Sequence, residues 1–496
     1  MTSLDITTSP GPITFNPLRW RRWWLDIDRN EAAQRWAQTG LGQGLLHFGF
    51  IALMFLLPVI RTKHAALVAI ALVLCAVFPA RRMLLLTAVG AVYFLLKPLK
   101  QEAHYTYFDE LVSSSYLSLP STFGFAIFGL VFMAFAYLLI HNQTSRNIEF
   151  IARRPIQFML ALGAGLAAMT IAVPDQHPAF SIAWVSLGYL SGSFFFLGYI
   201  LLDSRSKTAL PVHQQLGFLR PVWAAGSVPL KGPAFFRKFE AKTPTDMAIT
   251  RLKALKLVVW ATILFWIWEI GFNWFVHGAL ELPHLEAMIS ATANGASETA
   301  VLRWTVLAAD FLGQIVVFGA SIHLFIAVIR MVGFNVPRGM AKPLASRTMS
   351  EFWSRYLFYF KEILADFFFY PTFQRCFKKY PRLRMAFATF MAAFVGNMLF
   401  DFISDSPSFA IAGFWETVRG YSSYAIYAGA LTTGLIWSQL YQKKPSAEDG
   451  WFRYDVLPRV QVILFYGLLQ VFDDSSGMVP VGERIYFFLS LFGVHT

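Results

Sequence analysis

The stretch from Gly333 to Pro371 reads GFNVPRGMAKPLASRTMSEFWSRYLFYFKEILADFFFYP and predicts a helix that lies along a membrane face. Thr348 and Glu351 have the spacing of a capping box, in which a hydroxyl and a carboxylate each satisfy a free backbone N–H at a helix start. Pro371 is expected to end the helix, because proline lacks the N–H that a helix interior needs. We call this predicted helix, residues 349–369, the EFW helix.

The rest of the chain has the composition of a membrane protein. Of its 496 residues 56% are apolar, 17% are aromatic and only 14% are charged, and the mean hydropathy is +0.50. Ordinary soluble domains carry about 25% charged residues. The apolar runs are close to the roughly 20 residues that a spanning helix needs, and they lack the alternation of barrel strands. We therefore predict an all-α polytopic membrane protein.

The positions of the apolar runs and of the charges predict the topology. Apolar segments indicate about twelve spans, at 44–60, 64–79, 82–96, 121–141, 156–173, 178–202, 254–276, 300–331, 384–404, 421–441, 460–473 and 481–495. With the N-terminus in the cytoplasm, the inner segments hold most of the 42 Lys and Arg residues, as the positive-inside rule requires. The outer loops 101–120, 277–299 and 473–480 contain none. Both termini are accordingly predicted to be cytoplasmic.

The same pattern divides the chain into five parts. Residues 1–15 are polar and turn-rich, without the charged-then-apolar pattern of a signal peptide. The Trp/Arg-rich helix that begins at Pro17 is predicted to be interfacial, with a cytoplasmic helix docked on the bundle as the alternative. The five parts are an N-terminal segment (1–43), a six-span half (44–202), a basic loop with re-entrant or interfacial pieces (203–253), a core with the EFW helix (254–441) and a C-terminal part with two spans (442–496).

Residues around the EFW triplet carry a family resemblance. They fall in one gapless register at Gly333, Phe334, Pro337, Pro343, Ser346, Glu351, Phe352, Trp353, Arg355, Asp366 and Pro371. This register resembles the bacterial polysaccharide branch of the membrane-bound O-acyltransferase (MBOAT) family, which includes alginate O-acetylation and teichoic-acid D-alanylation proteins. The resemblance covers roughly residues 250–440. It implies an MBOAT-like helical bundle in a bacterial inner membrane, with an acyl donor entering from the cytoplasm and an acceptor from the opposite side.

The chain departs from that pattern at both histidines of the family. The histidine of the family's RWH triplet falls on Leu357, and the histidine of its WHG triplet falls within residues 394–400, which read FVGNMLF. The family's second histidine is taken to be the general base that activates the acceptor hydroxyl. Loss of such a base typically costs about 10² to 10⁴-fold in rate. The departure favours a catalytically degenerate relative.

Ionisable and amide side chains inside spans are candidate catalytic positions, because they are expensive to place there. His323 falls where the family has an aspartate, and a neutral histidine can accept a hydroxyl proton, with Glu269 as a candidate to orient it. Asn397 and Asp401 lie one helical turn apart and are expected to face the same cavity. The more ordinary interpretation of all three candidates, His323, Asn397 and Asp401, is hydrogen bonding between helices.

Basic residues near the EFW helix are the candidate donor-binding positions. Lys342, Arg355, Lys378 and Lys379 have the charge to hold the phosphates of coenzyme A or of a carrier protein's phosphopantetheine arm. The simpler interpretation is that these cations only set orientation and contact lipid phosphates. No bound cofactor is expected, and an acyl-CoA or acyl-carrier thioester would be the donor of an active enzyme. No metal site is expected, since neither an HExxH nor a CxxC pair occurs.

Two functional classes remain open. The first is a catalytically degenerate MBOAT-fold subunit that binds membrane lipids or other membrane protein subunits. The second is an active O-acyltransferase that moves an acyl group from a cytoplasmic thioester to a hydroxyl of a polysaccharide or lipid acceptor. Nucleic acid is not an expected partner, because the net charge of +13 is explained by the inner loops.

Overall fold

The structure is a computed structural model. It describes residues 17–97, 99, 121–146, 148–174, 176–204, 206, 209–224, 226, 228–406, 409, 412–442, 450–474 and 476–494. The polar N-terminal residues 1–15 and the acidic loop 101–120 of the sequence analysis lie outside these ranges.

The first half of the chain forms eleven named α-helices within its described residues. Its helices are α1 (Pro17–Leu25), α2 (Glu31–Gln38), α3 (Gly40–Phe55), α4 (Thr62–Val77), α5 (Arg82–Leu96), α6 (Ser121–Arg146), α7 (Glu149–Arg153), α8 (Pro155–Ala172), α9 (Pro178–Asp203), α10 (Val212–Gln215) and α11 (Pro233–Lys238).

The second half is also helical, and several of its helices contain π-helical turns. Its helices are α12 (Pro244–Trp266, continued by a π-helix over Ile267–Ala279), α13 (Leu285–Ala293), α14 (Ala300–Val332), α15 (Met349–Tyr356), α16 (Phe358–Leu364), α17 (Tyr370–Arg375), α18 (Pro381–Phe390), α19 (Asn397–Ser404), α20 (Phe414–Gly420), α21 (Ser422–Leu440), α22 (Leu457–Leu469) and α23 (Val481–Ser490).

The all-α polytopic class is confirmed, since the described residues form helices and no strand. Eight of the described helices are long and apolar enough to cross a membrane: Pro79–Leu96, Phe123–Arg146, Pro155–Ala172, Ala179–Asp203, Pro244–Ala279, Ala300–Val332, Pro381–Ser404 and Phe452–Phe472. The apolar helices α3 and α4 are shorter than these. The predicted count of twelve spans is therefore not confirmed.

The bundle has two chemically different ends. We call the end with loops 203–253 and 333–383 the basic end, and the end with loops 277–299 and 473–480 the acidic end. Helix α21 runs between them, because the Ser423 hydroxyl donates to the Phe472 carbonyl (3.1 Å) at the acidic end. Near its other terminus, the Ser438 hydroxyl accepts from the Ser350 N–H (3.4 Å) at the basic end.

Helix α23 accounts for one of the spans that is not confirmed. It has ten residues, about 15 Å of helix, which is half of a bilayer's hydrocarbon thickness. Just beyond α23 the Leu491 carbonyl accepts from Trp304 Nε1 (2.9 Å), and Trp304 lies in the first turns of α14 at the acidic end. Both termini of α23 thus lie at the acidic end, where its Phe487 packs against Leu285 of α13.

The N-terminal segment docks on the bundle. Ile27 and Ala37 join a small apolar cluster with Ala248 and Leu252 of α12. Asp28 is buried and forms an ion pair with Lys256 of the same helix. Residues 27–37 therefore pack on α12, while the interfacial placement of the Trp/Arg-rich helix α1 remains a prediction.

The two long basic loops contact each other, which confirms that they lie on the same side. The Ala241 N–H donates to the Gly333 carbonyl (2.9 Å), and the Asn335 N–H donates to the Phe239 carbonyl (2.8 Å). Gly333 ends α14 in the left-handed conformation, at φ 113°, which glycine adopts without a steric penalty.

Part of the first basic loop re-enters the bundle. A Cβ on Gly217 would clash with the backbone of Thr87, and a Cβ on Gly90 would lie 2.9 Å from the Trp223 ring, so the segment packs directly on the middle of α5. Further along, the buried Arg220 side chain lies 3.5 Å from the Lys97 carbonyl, at the acidic end of the same helix. This agrees with the re-entrant piece that the composition of the loop predicts.

The EFW helix is not the single helix predicted over 349–369. Its start is as predicted, with the Thr348 hydroxyl accepting from the Glu351 N–H (3.1 Å), but the Glu351 carboxylate accepts from the Arg347 N–H rather than from Thr348. The helix breaks at Leu357, because the Phe358 N–H bonds to the Gly339 carbonyl instead (3.0 Å).

Pro371 does not end the helical path, contrary to prediction. A π-helical turn over Ala365–Phe369 directly precedes it, and Pro371 is the second residue of α17. Such turns are common where a helix accommodates a proline or another irregularity. The path continues to Arg375.

Candidate functional site

His323 is a buried histidine bonded within its own helix. Its Nδ1 lies 2.5 Å from the Gly319 carbonyl, one turn earlier in α14, and the residue is 6% exposed. Because a carbonyl only accepts hydrogen bonds, Nδ1 carries the proton and Nε2 keeps the lone pair. His323 lies nine residues before the end of α14, which is about 14 Å from the basic end.

Glu269 does not orient His323. Its carboxylate accepts a hydrogen bond from Asn273 (3.1 Å), one turn further along the same helix. Within the part of the chain that the structure describes, Glu269 and His323 have no hydrogen bond or ion pair in common. A His–carboxylate pair at this site is therefore not formed.

Asn397 and Asp401 are brought together by Tyr424 of α21. The Tyr424 hydroxyl donates to Asn397 Oδ1 (3.0 Å) and lies close enough to Asp401 to interact with its carboxylate. Asn397 is completely buried, and among the described residues its Nδ2 has no hydrogen-bond partner. The two residues thus share a place, as their spacing predicts, and that place is a buried contact between helices.

The structure does not combine His323 with Asn397 and Asp401 in one site. Asn397 begins α19, which ends seven residues later at Ser404, so the pair lies within about 10 Å of the acidic end. His323 lies on the basic side of the bundle. An acceptor hydroxyl near one of them would be out of reach of the other.

The four candidate donor-binding cations fall into two separate groups. Arg355 forms an ion pair with Glu351 (2.6 Å) and lies 3.5 Å from the Lys342 carbonyl, which places Lys342 and Arg355 side by side. Lys378 and Lys379 are exposed and lie in the turn between α17 and α18. Lys342 is likewise exposed.

A cavity of about 190 Å³ lies at the basic end against the EFW helix. Its described lining consists of Ser350, Trp353, Ser354, Lys361, Leu364, Ala365, Phe369, Tyr370, Thr389, Ala392, Ala393, Leu435 and Gln439. We call it the basic-end cavity. Its hydroxyl, amide and ammonium groups can hydrogen-bond a polar ligand.

A larger cavity of about 370 Å³ lies between α8, α9 and α19, toward the acidic end. Its described lining consists of Met159, Leu160, Gly163, Ala164, Ala167, Thr170, Ile171, Trp184, Leu187, Leu190, Ser191, Phe194, Phe402, Ile403, Ser406, Phe409 and Phe414. We call it the apolar cavity. Ile171 of its lining is 88% exposed, so the cavity opens at the protein surface.

Four phenylalanines separate the two cavities. Phe195 stacks on Phe400 (5.0 Å between ring centroids), Phe400 contacts Phe360 (4.8 Å), and Phe195 also contacts Phe367 (6.2 Å). Phe195 follows the apolar-cavity residue Phe194, while Phe360 contacts Trp353 of the basic-end cavity (6.1 Å). The four rings, which we call the phenylalanine cluster, are buried and lie between residues of the two linings.

Neither cavity contains the residues predicted to catalyse acyl transfer. Among the described residues, neither lining includes a histidine, an aspartate or a glutamate, and His323, Asn397 and Asp401 belong to neither. Lys361 and Tyr370 are the titratable groups of the basic-end cavity. A general base for acyl transfer is therefore not positioned in either cavity.

Sequence reasoning did not find a charged cluster that joins the two basic loops. Lys231 bridges Glu362 (2.6 Å) and Asp366, and Asp366 also accepts from the Tyr199 hydroxyl (2.9 Å). Burial raises the pKa of Glu362, but hydrogen bonds from Lys231 and Lys361 outweigh it and the pKa is lowered. The sequence did contain one signal for this cluster. Glu362 and Asp366 are four residues apart, and neither has a basic residue at helical spacing to pair with.

Comparison with protein-family models gave no match, and comparison with curated proteins gave no significant match.

Proposed function

We propose that the chain is a non-catalytic membrane protein of MBOAT-like fold that binds the acyl chain of a membrane lipid in the apolar cavity. The observation that carries the proposal is that the phenylalanine cluster lies between the linings of these two cavities, with no histidine, aspartate or glutamate in either described lining. A donor at the basic end and an acceptor at the acidic end would not meet across it.

The shape and chemistry of the apolar cavity support an acyl chain as its occupant. Its volume lies in the range of about 300 to 1,000 Å³ that is typical of small-molecule sites. Its lining is almost entirely apolar, and each buried methylene contributes about 0.8 kcal/mol. The exposed rim residue Ile171 faces the bilayer, which supplies acyl chains at high concentration.

A phenylalanine in place of Ala167 is expected to remove bound lipid. Ala167 lines the apolar cavity and the new ring would occupy it, whereas the neighbouring Ala168 is exposed and does not line it. Lipid that co-purifies in mild detergent, quantified by mass spectrometry, should fall several-fold in Ala167→Phe and remain at the wild-type amount in Ala168→Phe. Equal lipid in both variants would refute the assignment of the cavity.

The second candidate function is O-acyl transfer from a cytoplasmic thioester to a polysaccharide or lipid hydroxyl. The basic-end cavity favours it, because Ser350, Ser354 and Lys361 offer hydrogen bonds to a pantetheine arm, and the Ser350 hydroxyl has no partner among the described residues. Under our proposal the purified protein gives no acyl transfer from acetyl-CoA above background. Robust turnover, or turnover abolished by His323→Ala, would establish the second candidate instead.

We further propose that the protein resides in a bacterial inner membrane, with the basic end in the cytoplasm and the C-terminal end on the opposite face. This revises the predicted cytoplasmic C-terminus, because α23 begins and ends at the acidic end. Alkaline phosphatase, which is active only outside the cytoplasm, should be active when fused after Thr496. The same enzyme inserted after Lys242 should be inactive, and an inactive C-terminal fusion would restore the twelve-span topology.

A further inference from the structure

Two histidines and an aspartate meet at the acidic end of the bundle. His277 Nε2 lies 3.8 Å and His284 Nδ1 lies 3.6 Å from the same oxygen, Oδ1 of Asp310. The imidazole rings are stacked, with centroids 3.9 Å apart. One ligand atom from each of the three residues lies within 4.8 Å of the other two, so the three atoms lie around one point.

Hydrogen bonds to the backbone fix which atoms face that point. His277 Nδ1 lies 2.7 Å from the Leu282 carbonyl and therefore carries the proton, which leaves the lone pair on Nε2. Asp310 Oδ2 accepts from the Leu285 N–H (2.5 Å), which leaves Oδ1 for the histidines. Bonds of this kind, from a ligand's second atom to the backbone, orient histidines and carboxylates in metal sites.

The chain between the histidines is folded tightly enough to bring them together. Glu281 adopts the left-handed conformation, at φ 52°, which is uncommon for a residue other than glycine. His284 then stands immediately before α13, while Asp310 comes from α14. Three separate segments thus supply the three side chains, at a position where a strained turn is retained.

We propose that His277, His284 and Asp310 bind one Zn²⁺ ion. Two imidazoles and a carboxylate are a ligand set that zinc accepts in tetrahedral sites, whereas magnesium and calcium prefer oxygen ligands. Zinc bonds of about 2.0 to 2.2 Å place tetrahedral ligand atoms about 3.3 Å apart, so on binding the three ligand atoms would move closer together and the stacked rings would turn toward the ion.

The accessibility of the three side chains is suited to a site that binds metal from solution. The side chains of His277 and Asp310 are 11% and 17% exposed, while that of His284 is 66% exposed. The exposed side provides an entry path and leaves the fourth zinc position to water. The ion would also join the loop at 277–284 to α14, so its binding is expected to stabilise the acidic end.

Zinc titration of the full-length protein, purified in detergent and freed of any affinity tag, tests the site. The wild type should bind one equivalent of Zn²⁺, and His284→Gln and Asp310→Asn should each weaken binding at least tenfold. His141→Gln, which changes an exposed histidine on α6, is the matched control and should bind as the wild type does. Without metal, His284→Gln should melt like the wild type, because His284 is exposed.

Two further readouts identify the metal and its effect. Co²⁺ in the wild type should give the visible absorption of a tetrahedral site, and this absorption should be absent from His284→Gln. Added Zn²⁺ should raise the melting temperature of the wild type and not that of Asp310→Asn. Failure of the wild type to bind a stoichiometric ion, unchanged affinity in both site variants, or a preference for Mn²⁺ over Zn²⁺ would each overturn the proposal.

Discussion

Replacing Lys231 by methionine is expected to lower the free energy of unfolding by about 3 to 5 kcal/mol, the usual cost of removing one partner from a buried ion pair. The Lys231 side chain is 11% exposed, and its carboxylate partners Glu362 and Asp366 are 20% and 21% exposed. Without the ammonium group, Asp366 would lose its ion pair and would face Glu362, one helical turn away, with little water; Glu362 would keep its pair with Lys361. The ion-pair contact between the two basic loops would be lost as well.

Controls for this prediction are available in the same loop. Lys231 has a φ of 69°, and methionine would bear the same backbone strain, so the substitution removes mainly the charge. Lys238→Met changes an exposed lysine nearby and should leave the denaturation midpoint in mixed micelles unchanged. Combining Lys231→Met with Glu362→Gln and Asp366→Asn should recover most of the loss. A stable Lys231→Met variant would show that the cluster is not structural.

The loss of stability caused by Lys231→Met should also depend on pH. The pKa of Glu362 is lowered in the folded protein, so its interactions stabilise the fold above its ordinary value of 4.5 and are lost as the pH falls through the lowered value. In Lys231→Met the buried carboxylates would instead be relieved by protonation. The difference in stability between wild type and variant should therefore narrow as the pH falls below about 4.5.

Local signals in the sequence predicted the start of the EFW helix but not its end. Thr348 acts at a single turn, where its side chain satisfies a free backbone N–H, and it begins α15 as predicted, whereas the helical path continues past Pro371. The break at Leu357 could not be predicted in this way. It depends on the Phe358 N–H bonding to Gly339, a partner that only the tertiary fold brings close.

For the candidate site, too, the sequence predicted contacts within one helix but not contacts between helices. The spacing of Asn397 and Asp401 predicted that they share a place, because one helical turn fixes it. The spacing could not show how deep Asn397 and Asp401 lie in the bundle compared with His323, because His323 is on a different helix. It also could not find the three-residue cluster of His277, His284 and Asp310, whose members come from separate segments.

Replacing Arg484 by methionine is the second change with a large expected effect, again about 3 to 5 kcal/mol. The Arg484 side chain is fully buried, and its guanidinium donates to Asp474 (2.7 Å), to Glu286 (2.6 Å) and to the Val471 carbonyl (2.8 Å). Asp474 is 9% exposed and would be left as a buried, unpaired charge. Glu286 is 55% exposed and would be hydrated, so it contributes little to the loss.

The loss of stability in Arg484→Met should be confined to the acidic end. Limited proteolysis should cut the segment around α23 faster in Arg484→Met, while the basic-end cavity keeps its structure. Arg419→Met is the matched control at the same end, because Arg419 pairs with Glu416 with both side chains well exposed, and such pairs contribute about 0 to 1 kcal/mol. Equal stability of the two variants would contradict the prediction.

The pairing of Arg484 also bears on the predicted C-terminal span, which is not confirmed. Apolar residues around Arg484 join a cluster with residues of α13 and the start of α14. A guanidinium in a true span would have to find its partners within the hydrocarbon, whereas Arg484 finds Glu286 of α13 and Asp474 at the acidic end. Its pairing therefore supports the proposal that α23 stays at that end instead of crossing the membrane.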